Sequence, residues 1–142
     1  MHLFLQAGPF VDVNHPAIQS GKVTKTMVAE DGESTTVSLS FAEVFGEAQR
    51  VIGDALIGDA ALAKLRVVLL PSLDDAHVVP VLPQPPLDVA DLDDLDTGRV
   101  LSLSNPCTFK ANGIVVGVST TDTFKHMAQG GTFKYNRSVA CV

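Results

Sequence analysis

Positive charge, cysteine and long apolar runs are all scarce in this chain, and each shortage closes off a class of function. Its 142 residues carry 10 Lys and Arg against 16 Asp and Glu, a formal net charge of −6. Phosphate backbones are attracted by clusters of Lys and Arg, so the chain's own field does not draw nucleic acid. The two cysteines, Cys107 and Cys141, stand far apart and match neither a CxxC nor a zinc-ligand spacing. Free or buried thiols in a reducing compartment are expected, with no disulfide framework. The longest apolar stretches are too short to cross a membrane, and Met1 to Leu5 lacks the charged, apolar and cleavage regions of a signal peptide. An intracellular protein without a membrane partner is expected. What remains is 46% hydrophobic and 18% charged, the composition of one soluble globular domain or part of a larger one. A chain of this size buries about 68–70% of its unfolded surface.

The most informative stretch is Val67 to Asp88, VVLLPSLDDAHVVPVLPQPPLD. A buried apolar strand (Val67, Val68, Leu69, Leu70) meets a turn at Pro71-Ser72, and Asp74, Asp75 and His77 follow its C-terminal end. In α/β folds ligand and metal sites gather at that place. Pro80, Pro83, Pro85 and Pro86 then hold the backbone extended and keep it out of the middle of a sheet.

Around this stretch strands and helices alternate. Leu3, Phe4 and Leu5 form a strand with almost no leader before Gly8-Pro9, as expected of a chain that begins inside a sheet. Asn14 is placed to cap a short helical turn through Ala17 and Ile18, with Gly21 as its stop. Val23 to Leu39, with a favoured turn at Asp31-Gly32, reads as an exposed hairpin or a flexible insertion. Ser40-Phe41-Ala42-Glu43 is a capping box. The helix behind it repeats apolar residues at spacings of three and four (Val44, Phe45, Ala48, Val51, Ile52, Ala55, Leu56), so one stripe is expected to pack on a sheet. Gly53 weakens it and Gly58 ends it. The acidic run Asp88, Asp91, Asp93, Asp94 and Asp96 reads as a solvated face ahead of a strand at Val100 to Leu103. Asn112-Gly113 marks a hairpin between Cys107–Ala111 and Ile114–Ser119. Thr121 or Asp122 caps a last short helix holding Phe124 and Met127.

Several of these words, taken in order, resemble the B (second-largest) subunits of DNA polymerase alpha-primase. They are Gly8-Pro9-Phe10-Val11-Asp12, Leu70-Pro71-Ser72-Leu73-Asp74-Asp75-Ala76-His77, Pro83-Gln84-Pro85-Pro86, Asn105-Pro106-Cys107, Asn112-Gly113 and Ser119-Thr120-Thr121-Asp122. The resemblance covers roughly residues 3 to 128, and ordered motifs are more specific than any one of them. The small subunits of polymerases delta and epsilon share the layout, but the PSLxDxH and PQPP words look like the alpha version.

The resemblance implies an α/β fold similar to calcineurin-like metallophosphoesterases, a two-sheet sandwich flanked by helices, incomplete here at both ends. Residues 1–128 would form a partial, inactive phosphoesterase-like domain and 129–142 a tail. Active members of that fold carry a GDxxD turn whose first Asp bridges two metals and a GNHD turn whose Asn is a ligand. Here Gly8 to Asp12 takes the place of GDxxD, with Pro9 where the bridging carboxylate belongs. Ser72 to Asp75 takes the place of GNHD, with Leu73 for the Asn and Asp74 for the His. Neither proline nor leucine offers a metal ligand. Asp12 is expected to survive as a turn-stabilising side chain, and the positions Pro9, Asp12, Leu73, Asp74, Asp75 and His77 as a vestigial site without metal or cofactor.

The implied function is a non-catalytic scaffold in the initiation of DNA replication, in the nucleus. Its implied partners are the C-terminal domain of the polymerase alpha catalytic subunit, primase within the complex, and DNA through the complex. A second reading stays open: Asp74, Asp75 and His77 could hold a single cation in a degenerate but active phosphodiesterase. The structural reading outweighs it, because acidic turns usually cap their own amides. His15 and His126 are isolated and read as surface or capping groups.

Overall fold

The computed structural model describes residues 2–28, 32–89 and 98–129. At its centre lie three parallel strands, β1 (His2–Ala7), β4 (Leu65–Leu70) and β5 (Val100–Ser102), in the order β1-β4-β5. The central strand β4 is LRVVLL, and its last four residues are all buried. A strand covered on both faces needs such a continuous apolar run, and Val67 to Leu70 supplies it. Two antiparallel hairpins form separate sheets: β2 (Val23–Val28) with β3 (Ser34–Leu39), and β6 (Cys107–Ala111) with β7 (Ile114–Val118). The architecture is a mixed α/β one, with separate sheets and flanking helices.

Helix α2 (Phe41–Gly58) covers the central sheet. The capping box forms as expected: Ser40 Oγ accepts the Glu43 amide at 3.3 Å, and Glu43 Oε2 accepts the Ser40 amide at 2.7 Å. Hydrogen bonds from Ser40, the backbone one foremost, hold the Glu43 carboxyl below its ordinary pKa. The buried face differs from the apolar stripe read in the sequence. Phe45, Gln49, Gly53 and Leu56 are buried, whereas Ala55 is exposed and Val51 is 64% exposed. Hydrophobic spacing thus located the helix, but its rotation is set by Phe45 and Leu56 joining the core of Val11, Val67, Leu69 and Leu87. Gly53 sits inside the helix on its buried side, and the helix ends at Gly58 as expected.

Arg99 reaches back from the start of β5 and donates to the carbonyls of Leu56 and Leu62 at 2.9 and 3.0 Å. A cation at the carboxyl end of α2 is favourably placed against its unpaired carbonyls. Lys25 on β2 pairs with Glu47 on α2 at 2.8 Å and ties the first hairpin to the helix.

Other expectations meet mixed outcomes. The short helix α1 (Pro16–Gln19) is capped by His15, whose Nδ1 accepts the Ala17 amide at 3.2 Å. Asn14 instead turns back to Asp12, because Pro16 at the first helical position makes its predecessor the cap. Gly21 follows with φ of 67°. Asn112 and Gly113, at φ of 50° and 86°, make the turn between β6 and β7; positive φ at both central residues is what such a two-residue hairpin needs. Of the two caps offered for α3 (Thr123–Gln129), Asp122 is the one used, accepting the Lys125 amide at 2.9 Å. Strand β5 ends at Ser102, one residue short of Leu103. Cys107 is a free, half-buried thiol whose pKa burial pushes up. Asp31, the acidic residues Asp91 to Asp96, Cys141 and the tail from 130 onward lie outside the described residues, as does the Phe124 side chain. Among the described residues no helix is long and apolar enough to cross a membrane.

Candidate functional site

Parallel strands deliver their C-terminal ends to one edge of a sheet, and β1 and β4 here deliver the two turns Gly8–Asp12 and Pro71–His77 side by side. Backbone bonds zip the turns together: Gly8 N donates to Leu70 O at 3.0 Å, Val13 N to Asp74 O at 2.9 Å and Ala76 N to Val11 O at 2.8 Å. Asp12 and Asp75 face each other as an antiparallel bridge.

Between the turns lies the Asp75 carboxylate, only 2% exposed. Its Oδ1 accepts the amides of Phe10 and Val11, the latter at 2.9 Å, and its Oδ2 accepts the Ser72 amide at 3.0 Å. A buried carboxylate is costly unless its oxygens are paired, and three backbone N–H groups meet that need. Gly8 is required beside it: a Cβ there would overlap Asp75 Oδ2 and stand 3.0 Å from Ser72 Cβ.

The other candidate residues scatter from this point. Asp12 Oδ1 accepts the Asn14 amide at 2.8 Å. Asp74 is exposed, Leu73 half-buried and Pro9 exposed. His77 stacks on Phe45 with ring centroids 4.0 Å apart and an interplanar angle of 24°. Burial holds the His77 pKa below its ordinary value, and the nearby Asp75 carboxylate offsets part of that fall.

A two-metal hydrolytic centre holds its cations about 3.5–4 Å apart with converging oxygen and nitrogen ligands. The residues here do not fit that requirement. Asp75 has given both oxygens to amides, and Pro9 and Leu73 offer no donor. Among the described residues no group of three His, Cys, Asp or Glu side chains is placed to hold a metal.

A second cluster adjoins the first, and sequence reasoning named its residues only as family words. Gln84 and Asn105 are both 0% exposed. Their backbones form a two-way bridge, Gln84 N to Asn105 O at 2.7 Å and Asn105 N to Gln84 O at 3.1 Å. The Gln84 amide nitrogen donates to Ser72 O at 3.0 Å, and Asn105 Nδ2 donates to Gln84 Oε1 at 2.8 Å and to Thr120 Oγ1. Thr120 returns its own amide to Asn105 Oδ1 at 3.1 Å and its hydroxyl to Pro71 O at 3.2 Å. The words around Pro71, Gln84, Asn105 and Thr120 therefore converge on one buried polar lattice at the end of β4. The signal available in the sequence was a lone Gln set among prolines: the proline-rich chain, unable to enter a sheet centre, makes a single bridge through the one residue whose side chain can also bond.

Beside the lattice, α2 and the segment after His77 border an open cleft of about 430 Å³ lined by Phe45, Gln49, His77, Val79, Pro86 and Leu87 among others.

A model of the DNA polymerase alpha/epsilon B-subunit family matches residues 1–137. The DNA polymerase alpha B subunit of Bos taurus is 34% identical over 120 residues, covering 84% of this chain and 17% of the relative. That of Saccharomyces cerevisiae is 31% identical over 137 residues, covering 92% of this chain and 18% of the relative. That of Schizosaccharomyces pombe is 30% identical over 135 residues, 93% of this chain and 20% of the relative. The chain thus spans about a fifth of the length of the curated relatives it matches.

Proposed function

The chain belongs to the B-subunit family of DNA polymerases alpha and epsilon, and on that footing we propose that it acts as part of a non-catalytic accessory subunit of DNA polymerase alpha-primase. The observation that carries the reading is the commitment of Asp75. The one buried carboxylate found at the ends of β1 and β4 among the described residues is spent on the amides of Phe10, Val11 and Ser72, so the edge where hydrolytic ligands would gather works as a structural clasp. In this reading residues 1–128 are a partial calcineurin-like sandwich whose positions Pro9, Asp12, Leu73, Asp74, Asp75 and His77 no longer bind metal, and 129–142 a tail. Its partners are the C-terminal domain of the polymerase alpha catalytic subunit and primase, with DNA reached through the complex, in the nucleus. The net charge of −6 supports contact with DNA through partners rather than through this chain's own surface.

The test is co-purification of the full-length protein with a polymerase alpha catalytic chain, alongside turnover of a generic phosphodiester with added manganese. Stable co-purification without metal-dependent turnover is expected. Turnover abolished by His77→Ala would establish the phosphodiesterase reading in its place.

A further inference from the structure

Four asparagines stand in the chain, and their surroundings fit them unequally for one reaction. An asparagine is lost when the backbone nitrogen of the next residue attacks its side-chain carbonyl and closes a five-membered imide. That nitrogen must carry a proton to give up and must be free to move. Asn105 is 0% exposed and is followed by Pro106, which has no N–H. After Asn14 the next amide, His15 N, donates to Asp12 O at 3.0 Å, and the Asn14 side chain itself donates to Asp12 Oδ1 at 3.1 Å. Asn136 lies outside the described residues. Asn112 differs on each count. It is exposed, Gly113 follows it, and neither its side chain nor the Gly113 amide has a hydrogen-bond partner among the described residues.

The turn itself sets the pace. At φ of 50° Asn112 is left-handed, a conformation that carries its Cβ away from the following amide, so ring closure waits until the turn opens. Little holds the tip shut. Strands β6 and β7 pair only with each other, and Ile114 and Val115 beside the turn are 68% and 66% exposed. A lone two-stranded hairpin is marginally stable in water. Its base is firmer, because Asn105 before β6 and Thr120 after β7 bond to each other through side chain and backbone.

We propose that Asn112 is a spontaneous modification site, converting to aspartate and isoaspartate through a cyclic imide when the β6–β7 tip opens, with the Asn105 and Thr120 bonds governing how often it does. The Gly113 nitrogen bonds to Asn112 Cγ, the Cγ–Nδ2 bond breaks, and ammonia leaves with the proton of the Gly113 amide. Water then adds to one of the two ring carbonyls. Hydrolysis at the backbone carbonyl leaves isoaspartate, whose main chain runs through the former side chain and gains a methylene. A two-residue turn is fitted to its strands by backbone geometry, so this product unpicks the tip and places a carboxylate there. The site does not depend on the polymerase reading.

The 142-residue chain, incubated at neutral pH in heavy-oxygen water and then digested with trypsin, reports the reaction in a single peptide. Ala111–Lys125 holds Asn112 as its only amide side chain. Mass spectrometry should show it taking up the heavy oxygen. Its isoaspartate should accept a methyl group from S-adenosylmethionine when an isoaspartyl carboxyl methyltransferase is added. Conversion should run about tenfold slower than in the free peptide of the same sequence, which has no turn to open. Asn105→Ala should speed it about fivefold by freeing the base of the hairpin, and Thr120→Val, which keeps the Thr120 amide on Asn105, by less. No conversion of Asn112 over many half-lives of the free peptide overturns the proposal, as does a chain that reacts as fast as that peptide. If Asn105→Ala reaches the free-peptide rate because its fold is lost, Thr120→Val decides, and a rate equal to the parent's overturns the proposal.

Discussion

Asp75 Oδ1 accepts the Val11 amide at 2.9 Å across 64 positions of sequence, and that bond ties the turn after β1 to the turn after β4. With the Phe10 and Ser72 amides it makes one carboxylate the common anchor of both turns. Removing it leaves three N–H groups without their acceptor. Asp75→Ala should lower the unfolding free energy by roughly 3 kcal/mol, the scale of lost charge-assisted bonds plus stranded donors. Urea denaturation measures this, and a loss below about 1 kcal/mol would refute the clasp.

Gly8 and Asp75 form a coupled pair, since a Cβ at Gly8 would overlap Asp75 Oδ2. Gly8→Ala should therefore destabilise the native chain strongly, and less so once Asp75 is already Ala, the contact with Ser72 remaining in both backgrounds. A double-mutant cycle should show coupling of about 1–2 kcal/mol. Strict additivity would mean that the two turns do not meet as described.

The lattice of Gln84, Asn105 and Thr120 gives a third expectation. Asn105→Ala strands Gln84 Oε1 and the Thr120 amide in a buried setting. A cost of about 2–3 kcal/mol follows from unpaired buried groups. Thermal unfolding of the variant checks it, and a melting temperature equal to the parent's would contradict the lattice.

His77 supplies a pH dependence whose sign is determined. Burial depresses its pKa in the fold, so the unfolded chain binds a proton more readily than the native one. This contribution to stability is complete above the unfolded value of about 6.5 and is lost as pH falls from there toward the folded value. Denaturation midpoints between pH 7 and 5 should decline, and His77→Phe should flatten that decline. An unchanged slope in the variant would assign the effect to other groups.

Ser40→Ala removes the hydroxyl that accepts the Glu43 amide at the start of α2. A loss of about 1 kcal/mol is expected for an N-cap of this kind, measurable by chemical denaturation. The same box should weaken in acid: Glu43 has a depressed pKa, so its contribution is present above the unfolded carboxyl value and is lost as pH drops through the folded one.

How much of this was legible depends on the range over which each feature is decided. The run Val67 to Leu70, the pair Asn112-Gly113 and the box from Ser40 to Glu43 are local, and each formed where its residues implied. At α1 both Asn14 and His15 can accept an amide, and Pro16 at the first helical position makes His15 the cap. Spacing along α2 located the helix while misplacing Val51, because an apolar residue at a helical interval does not say which side meets the sheet. The ordered motif words marked the family without showing why they travel together. Gln84 lies 21 positions from Asn105 and Asn105 lies 15 from Thr120, so their bonds have no local signature.

By itself the sequence determined the alternation of strands and helices, the net negative charge, and side chains without metal-ligand atoms at Pro9 and Leu73. Only the tertiary structure decided between Asp74 and Asp75, adjacent and chemically identical. Beyond the end of β4 the chain bends so that one carboxylate meets solvent and the other enters a ring of amides drawn from two turns. Its role belongs to groups 64 positions away, brought near only when β1 and β4 pair.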